Sequence, residues 1–598
     1  MTARHPRSRS GRRPRLRRLA TGVVLAVVAA LASSCSGIGA DTSVSPGLEV
    51  RGAEVQPVRA FFPPPAKGAT QRDIVLGFIR AGAASDGNFD TARSYLTPDA
   101  DKGWVPEGEV VLYSTTTPLS ITNRTPDVAV LSGPVEASIG VDGRYVKAAV
   151  GAKRRIEFQF ARIDGEWRIS NVPKDFGRWI TTSDLGRLLQ PYSLHYLASD
   201  RRALVPDRRW FPPDHLATRL ARAQLDDPPA YLGGAVRNDV PRGSRLTADS
   251  VSVTDGVARV DITGPVPTDK TQRENVWAQL VSTLLQDPTV QGVTIRVRDV
   301  TLELPDVDLP VRTIEEVGFP APPVVPLGRP LIRRGDTIYL LPSTSFVDRD
   351  PRKSGNVDVP KGYRSLALSA DGTEIATVDP DGGHSRFRGV TRYEVSFVGT
   401  RVGNPAYDTR NFLWAGALGI DEDSSTHLWA FSVAGDPANP PPAVGLPVDW
   451  LAGRRVVESK PSPSGDRVAL LHTTESGSDP QITITGVVRG PGGQPVGLGS
   501  PLRLGATLVN PAGLVWLSNI SVATLGQRGG AQEQRRPYVL SIDGEERALG
   551  ETPQGISITS AGGERDILVT NSDGTVISRA GQQWISLGQG TDVLVPAR

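Results

Sequence analysis

Three successive patterns of apolar and polar positions divide most of this chain. The first begins near residue 70, where Ile74, Phe78 and Ile79 share one face of a helical pattern. Alternating strands follow, and Asp164-Gly165 joins the last two of them. Apolar residues at helical spacing predict a helix, strict alternation predicts half-buried strands, and Asp-Gly favours a tight hairpin turn. Helices followed by an antiparallel meander therefore predict an α+β domain over residues 70–190.

The second pattern predicts an α/β domain over residues 193–300. At its centre is a helix from Lys270 to Gln286 with a wide apolar stripe that includes Trp277 and Val281. A stripe of this width packs against a sheet, and an apolar strand follows directly. Prolines then cluster over residues 301–328, which predicts a Pro-rich linker.

The third pattern fills residues 329–598 with short strands separated by Gly, Pro, Asp and Asn. It contains a repeat: the segment Ser369–Ala376 recurs as Ser462–Ala469 and, loosely, as Ser560–Leu568. The turn glycines of these copies are 93 and 98 residues apart. A turn followed by an apolar strand at a regular interval is typical of a β-propeller.

The repeat also predicts the number of blades. Weaker copies near Ser424–Trp429 and Gly513–Trp516 halve the period to about 47–49 residues, which fits five or six blades. We expect Leu331–Leu341 and Thr591–Val595 to close the ring together. An aperiodic pair of β-sandwiches is the alternative for this all-β region.

The first 35 residues carry the clearest targeting signal. Eight arginines lie among the first 18 residues, an uncharged run follows from Leu19 to Ala32, and Cys35 is the only cysteine of the chain. A basic segment, a short apolar segment and small residues before the cut are typical of a secretory signal peptide, and the apolar run is too short for an ordinary membrane span. We predict a signal peptide over residues 1–34, with Ser34 at the cleavage boundary.

The run Leu31-Ala32-Ser33-Ser34-Cys35 resembles a bacterial lipobox, although Ala32 stands where that family usually has leucine. The resemblance implies lipidation of Cys35, with an S-diacylglycerol group on the thiol and an N-acyl group such as palmitate on the new amino terminus. Two or three acyl chains on one residue form a stable membrane anchor. An ordinary signal peptide with an incidental cysteine is the alternative.

The residues after Cys35 fit this anchor. Residues 35–69 are rich in Gly, Ser and Pro, and such a composition predicts a tether without a core of its own. With the lipid, this stalk predicts a lipid-anchored protein at the cell membrane, on its extracytoplasmic face.

Charge changes the choice of partners. Removing the eight leader arginines changes the formal net charge from +3 to −5, so nucleic acid is not expected as a partner. A local excess of basic residues does remain between Arg144 and Arg209. It fits anionic lipid headgroups or an acidic partner, and a solvated strand face is the plainer interpretation.

The sequence contains little that predicts catalysis. The six histidines never occur at metal-ligand spacing, and the nucleophile, phosphate-loop and dinucleotide motifs are absent. The acidic clusters Asp348–Asp350 and Asp421–Asp423 lack the glycine and distal glutamate of a calcium loop. We therefore expect no enzyme activity, no cofactor and no metal, while propeller acids from separate blades keep a glycan hydrolase open.

Two domains resemble known families. The element order of residues 70–190 resembles a nuclear-transport-factor-2-like (NTF2-like) cone. The segments Pro241–Leu246 and Asp255–Asp261 are similar to the GerMN domain of spore germination and sporulation proteins, although Asp226-Asp227-Pro228-Pro229 stands where that family usually has Gly-Pro. The GerMN family has no agreed catalytic residues to carry over.

The whole domain order resembles the LpqB family of actinobacterial lipoproteins. The segments Leu204–Pro213 and Tyr407–Trp414 look most like that family. The resemblance implies an accessory that modulates a two-component system, with an MtrB-like sensor histidine kinase ectodomain as its partner. It would tune MtrA phosphorylation and so act in cell-wall homeostasis and division. An extracytoplasmic glycan-binding protein or hydrolase is the alternative function.

Overall fold

The computed structural model of this protein describes residues 62–84, 88–149, 151–200, 202–248, 250–320, 330–341, 353–395, 399–418, 426–529 and 533–597. The signal peptide, Ser34, Cys35 and the stalk up to residue 61 lie outside the described residues. So do the acidic clusters Asp348–Asp350 and Asp421–Asp423. The described residues therefore belong mostly to the three predicted globular regions.

The first region combines helices with two four-stranded sheets, of strand order β2-β3-β6-β7 and β5-β4-β1-β8. Its elements are α1 (Gln71–Ala81), α2 (Asp90–Arg93), α3 (Pro98–Gly103), β1 (Val110–Tyr113), β2 (Ser120–Thr125), β3 (Val128–Pro134), β4 (Ala137–Ile139), β5 (Tyr145–Lys147), β6 (Lys153–Ile163), β7 (Glu166–Asn171), β8 (Arg178–Thr181) and α4 (Leu185–Leu188). Strand β1 runs parallel to β8, and the remaining pairs are antiparallel.

Local chemistry explains several of these elements. A capping box between Thr70 and Asp73 begins α1. Asp164 and Gly165 have φ angles of 52° and 82°, so both adopt the left-handed conformation that the predicted hairpin turn requires. Phe158 and Phe160 are buried in the core of this region. Trp167 is only partly buried and carries Arg162 over its ring.

The second region is an α/β domain with a helix between two sheets. Its elements are β9 (Gln190–Ala198), β10 (Leu204–Phe211), α5 (Leu216–Gln224), a short 3₁₀ turn (Ala230–Leu232), β11 (Val236–Arg237), β12 (Ser252–Thr254), β13 (Val257–Ile262), α6 (Lys270–Leu284), β14 (Gly292–Val297) and β15 (Val300–Thr301). The strand orders are β10-β9-β11 and β12-β13-β14-β15. Trp277 and Val281 of α6 are fully buried, as the stripe predicts.

The segment predicted as a linker over 301–328 is described as far as Pro320, and it packs against this domain. Trp277 Nε1 donates to the Leu302 carbonyl at 2.8 Å, and Val311 pairs with Val293 of β14. Five apolar side chains of the segment are buried, namely Leu302, Leu304, Val311, Val317 and Phe319. These residues act as part of the domain's core rather than as an open spacer.

The third region is a β-propeller with six sheets among its described residues, five of them four-stranded and one five-stranded. Its strands are β16 (Leu331–Arg334), β17 (Thr337–Leu340), β18 (Lys353–Asp358), β19 (Arg364–Leu368), β20 (Glu374–Val378), β21 (His384–Arg388), β22 (Thr391–Glu394), β23 (Ala406–Tyr407), β24 (Phe412–Gly416), β25 (Thr426–Ser432), β26 (Val444–Pro447), β27 (Arg454–Pro461), β28 (Arg467–Thr474), β29 (Gln481–Arg489), β30 (Pro495–Leu498), β31 (Leu502–Leu504), β32 (Leu508–Ser518), β33 (Ser521–Arg528), β34 (Arg536–Ser541), β35 (Glu546–Ala548), β36 (Gly555–Ser560), β37 (Ile567–Asn571), β38 (Thr575–Ala580), β39 (Gln583–Gln589) and β40 (Val593–Leu594). The prediction of a propeller is confirmed.

The ring closes by pairing the two ends of this region. Strand β40 pairs antiparallel with β16, with Leu594 opposite Leu331 and Val593 opposite Ile332. The first blade therefore has the order β18-β17-β16-β40 and takes its innermost strand from the end of the chain. The predicted closing segments are confirmed.

The repeat corresponds to the turn after the innermost strand of a blade. The hydroxyls of Ser369, Ser462 and Ser560 each accept a hydrogen bond from a backbone N–H within that turn. The predicted positions of the weaker copies, near Ser424–Trp429 and Gly513–Trp516, are wrong. Asp408 builds the same turn in the third blade, and Ser518 builds it in the fifth. In the third blade, Asp408 in place of serine preserves the hydrogen bond but removes the similarity to the repeat sequence.

A buried polar network lies in the α/β domain beneath α6. The backbone N–H of His195 donates to Gln224 Oε1 at 2.8 Å, and Thr283 Oγ1 donates to the same oxygen at 2.8 Å. Because the Thr283 hydroxyl proton is used there, His195 Nδ1, 3.2 Å from Thr283 Oγ1, is the donor of their hydrogen bond. Burial lowers the pKa of His195 to about 4.

We expect this histidine to make the fold sensitive to acid. A pKa of about 6.5 in the unfolded chain and about 4 in the folded one means that stability is complete above pH 6.5 and falls between 6.5 and 4. The loss at low pH amounts to at most about 3 kcal/mol. Urea unfolding across this range should show a smaller pH slope for His195→Asn than for the unsubstituted chain, with His215→Asn as the exposed control. Equal slopes for the two variants would contradict this prediction.

Candidate functional site

The strand β10 contacts all three folded regions. It pairs with β9 along its whole length, from Leu204 opposite Leu197 to Phe211 opposite Gln190. The Trp210 backbone N–H donates to the Gly143 carbonyl of the first region at 2.8 Å. These contacts make β10 the structural junction of the protein.

The same strand contacts the propeller through three further groups. Trp210 Nε1 donates to the Asp543 carbonyl at 2.8 Å. Arg208 Nε lies 3.1 Å from Asp543 Oδ2, whose side chain is fully buried. The guanidinium of Arg467, at the start of β28, donates to the Pro206 carbonyl and to the Asn519 carbonyl. The fourth and fifth blades are therefore tied directly to the junction strand.

A buried ion pair occupies the middle of β10. Arg209 Nε donates to Asp207 Oδ2 at 2.7 Å, and both side chains are almost fully buried. Arg209 Nη2 donates to the Tyr196 hydroxyl at 3.0 Å, and the Tyr231 hydroxyl donates to Asp207 Oδ1 at 2.9 Å. Burial alone would lower the pKa of Arg209, but Asp207 and Tyr196 reverse the effect and raise it. Both side chains of the pair therefore have hydrogen-bond partners in the buried interior.

The turn at Ala230–Leu232 packs against the fourth blade next to the junction. Ser500 N–H donates to the Ala230 carbonyl at 3.1 Å. A Cβ atom at Gly499 would lie 2.5 Å from the Tyr231 carbonyl oxygen, and one at Gly486 would lie 2.7 Å from Ala235 Cβ. Only glycine allows this approach. The cores of the α/β domain and of the fourth and fifth blades form one continuous apolar cluster.

This arrangement connects domains and provides no reacting group. The side chains of Asp207, Arg209, Tyr196 and Tyr231 are hydrogen-bonded to one another. Arg209 also donates to the first region, and Arg467 of the propeller donates to β10. The sequence identified β10 only as a family-like segment and missed Tyr231 and Arg467 as its partners. The sequence gives little indication of these contacts. Arg467, for example, occupies the position of Glu374 in the repeat and looks like an ordinary strand residue.

The central channel of the propeller is a second candidate site. It has a volume of about 340 Å³ and is lined by the innermost strands, β19, β23, β27, β32, β36 and β40. Lys460 is the charged side chain among its described lining residues, which include no Asp or Glu. Glycoside hydrolysis usually needs two carboxyl groups across the bond to be cleaved. The described channel lining does not supply that pair.

The basic residues between Arg144 and Arg209 are dispersed over two regions. Many form separate ion pairs, namely Arg144–Asp142, Lys147–Glu136, Arg154–Glu109, Arg187–Asp184, Arg202–Glu274, Arg208–Asp543 and Arg209–Asp207. This dispersal favours the plainer interpretation, in which each basic residue serves its own strand or loop.

Two acids in turns of the propeller, Asp371 and Asp573, have a clear structural role. Asp371 accepts hydrogen bonds from Ser369 Oγ, Thr373 N and Thr373 Oγ1 at 2.6, 3.0 and 2.8 Å. Burial raises its pKa, but these hydrogen bonds outweigh burial and lower the pKa of Asp371 overall. Asp573 accepts from Thr575 N at 2.8 Å in the same way. Both carboxylates stabilise turns.

We expect Asp371→Ala and Asp573→Ala to leave biological function intact. Loss of the turn hydrogen bonds at Asp371 should lower the free energy of unfolding by about 1–2 kcal/mol, without loss of the fold. The measurements are thermal unfolding and complementation of a deletion strain. A folded variant that fails to complement and also loses a hydrolytic activity would reverse this expectation. Asp421, for which we predict the same, lies outside the described residues.

The described part of the chain offers neither a metal-binding cluster nor a membrane-spanning helix. No group of three or more His, Cys, Asp or Glu side chains there is placed to hold a metal ion. No helix among the described residues is long and apolar enough to cross a membrane.

Comparison with family models divides the chain in the same order as its folded regions. Residues 64–186 match the model described as "Lipoprotein LpqB, N-terminal domain". Residues 193–303 match "Sporulation and spore germination", and residues 354–597 match "Lipoprotein LpqB beta-propeller domain".

Individual proteins show the same similarity. The "Lipoprotein LpqB" of Thermobifida fusca is 27% identical over 629 residues, which covers 94% of this chain and 93% of that protein. The protein of the same name from Bifidobacterium longum is 29% identical over 35% of this chain and 38% of its own length. Among solved structures, the tandem GerMN domains of GerM from Bacillus subtilis are 17% identical, cover 25% of this chain and 58% of that one, and have a TM-score of 0.17.

Proposed function

The chain belongs to the LpqB family of actinobacterial lipoproteins, and from this premise we propose that it acts as a membrane-anchored accessory of a sensor histidine kinase. In this proposal the lipid on Cys35 holds the protein at the extracytoplasmic face of the cell membrane. The folded regions contact the ectodomain of an MtrB-like kinase and tune phosphorylation of its MtrA-like regulator. The biological result is control of cell-wall homeostasis and division.

One observation carries the proposal beyond family membership. The β10 strand joins all three regions through buried hydrogen bonds and the Asp207–Arg209 pair. A partner that binds any one region is therefore held in a fixed position relative to the other two. Such a body suits a modulator that acts through its protein surfaces, because binding at one face orients the remaining faces.

The anchor supplies the second part of the argument. Tethering converts a weak contact between two proteins into one at high effective concentration, provided that the tether can span the distance. In this proposal the lipid at Cys35 and the Gly-, Ser- and Pro-rich segment that follows it supply that tether. The proposal therefore needs both the lipid and the folded body.

The test reconstitutes the full chain and the full-length kinase in the same vesicles. We expect the lipidated chain to crosslink to the kinase and to change the rate of regulator phosphorylation. The same chain with Cys35→Ala, added at equal total concentration, should have a much weaker effect. No crosslink and no change in phosphorylation by the lipidated chain would refute the proposed partner.

Lipidation itself is tested by metabolic labelling with radioactive palmitate. Cys35→Ala removes the thiol that receives the diacylglycerol group, so we expect no incorporation and a protein that is uncleaved or released. Ser34→Ala is the matched control, because it keeps a small residue before the cut and keeps the thiol. Equal labelling of Cys35→Ala and the unsubstituted chain would contradict lipidation at this residue.

A further inference from the structure

A groove in the α/β domain lies apart from the junction. It has a volume of about 520 Å³, which is within the usual range for small-ligand sites. One wall is the end of α5 and the turn that follows it. The other wall is the segment over residues 240–248, which includes most of the GerMN-like segment. Its polar lining consists of Arg222, Asp226, Asp227, Asn238, Arg242, Ser244 and Arg245.

Ser244 is the observation that points to a ligand. Ser244 is only 6% exposed and lines the groove. Its Oγ has no hydrogen-bond partner in the described part of the chain. A buried hydroxyl without a partner costs about 1–3 kcal/mol. Gly264, with a φ of 107°, allows the close packing around it, since a Cβ there would lie 2.5 Å from Ser244 Oγ. The hydroxyl is therefore held in place with its hydrogen-bonding capacity unused.

The floor of the groove is rigid. Asn238 Nδ2 donates to the Gln224 and Asp226 carbonyls at 2.9 and 3.0 Å. Asn238 Oδ1 accepts from Val240 N at 3.1 Å and from Gln279 Nε2 at 3.0 Å. With all four contacts made, the amide fixes both walls relative to each other. A preformed site of this kind loses little entropy when a ligand binds.

The charges of the groove favour an anion that also carries hydroxyl groups. Three guanidinium groups face two carboxylates, so the lining has an excess of one positive charge. Arg242 Nε is 3.8 Å from Asp227 Oδ1, and both side chains are largely exposed, so this pair is weak and open to competition. Arginine binds carboxylate and phosphate in a planar fork, while aspartate accepts hydrogen bonds from hydroxyls.

The apolar part of the lining completes the chemistry. Leu225, Val240, Leu246 and Ala248 also line the groove. A sugar ring presents C–H groups on its faces and hydroxyls at its edges, so it matches a lining that mixes apolar, aspartate and serine side chains. We propose that this groove binds an anionic sugar, through its carboxylate or phosphate at the arginines and its hydroxyls at Ser244 and the aspartates.

The test titrates the full chain with matched sugars by calorimetry. Glucuronate and glucose differ only at C6, and glucose 6-phosphate places a phosphate at the same position. We expect glucuronate or glucose 6-phosphate to bind at least tenfold more tightly than glucose, and this preference to weaken as salt rises. The better of the two identifies carboxylate or phosphate as the recognised group.

Variants locate the binding in the groove. Ser244→Ala and Arg245→Gln should each weaken binding of the preferred sugar about tenfold, while the thermal unfolding temperature stays unchanged or rises for Ser244→Ala. Arg259→Gln, in the same domain but outside the groove, is the matched control and should bind normally. Equal binding of glucose and glucuronate, equal competition by inorganic phosphate alone, tighter binding of a tetraglutamate peptide, or unchanged binding by Ser244→Ala would each overturn the proposal.

Discussion

Replacing Arg209 by methionine should lower the free energy of unfolding by about 3–5 kcal/mol, the cost of breaking a buried ion pair from one side. The substitution leaves the Asp207 carboxylate buried, with Tyr231 as its remaining side-chain donor. It also removes the donor to Tyr196 and the bond to the Asp142 carbonyl. Urea unfolding of the full chain measures the effect. Tyr231, which donates to Asp207, lies in the Ala230–Leu232 turn that contacts the propeller. We therefore expect the unfolding of the three regions to become less cooperative as well.

Two further variants separate charge from packing. Arg259→Met removes an arginine from a partly exposed pair with Asp261 and should cost less than about 1 kcal/mol. The double variant Asp207→Leu, Arg209→Met removes both charges and should recover most of the lost stability, since apolar replacement of a whole buried pair is often neutral or stabilising. An Arg209→Met variant as stable as Arg259→Met would contradict the role of the pair.

Local features of the fold could be predicted from the sequence. The Asp164-Gly165 turn, the buried stripe of α6 and the repeat in alternate blades depend on residues close together in the chain. The closure of the propeller was also predictable, because a repeat architecture leaves one strand at each end to be paired. In each case the chemistry of a few neighbouring residues determined the element.

The junction could not be predicted in the same way. Asp207 and Arg209 are two residues apart on one strand with Arg208 between them, and such a run of charged residues is usually a solvated face. Their burial depends on Tyr231, which is 24 residues from Asp207, and the contact of Pro206 with Arg467 spans 261 residues. Nothing in the local pattern marks these partners. The Ser244 groove was hidden for a similar reason, since its two walls come together only in the folded domain.

The family function and the structure bear on different parts of the protein. The cleavage boundary at Ser34 and the lipidation of Cys35 rest on the sequence, and lipidation is a prediction for labelling to test. The junction rests on structure and explains how the three regions are joined. A modulator needs both, because an anchor without a fixed body would bring a partner close without orienting it.

Ending the chain at Asp299 should abolish cooperative unfolding of what remains, even though the predicted α/β domain is then nearly complete. The cut removes Leu302, Leu304, Val311, Val317 and Phe319, each of which contributes about 1.5–3 kcal/mol by burial, and a whole domain is stable by only about 5–15 kcal/mol. It also removes the carbonyl that accepts from Trp277 Nε1.

A chain ending at Pro320 is the matched control, because it lacks the propeller equally but keeps all five side chains. We expect it to retain near-ultraviolet circular dichroism from Trp277 and to unfold cooperatively. Its stability should be lower than that of the full chain, because the turn at Ala230–Leu232 no longer contacts the propeller. The chain ending at Asp299 should show neither. Identical unfolding curves for the two chains would mean that residues 301–320 are a spacer after all, and that the domain core ends where the sequence pattern ends.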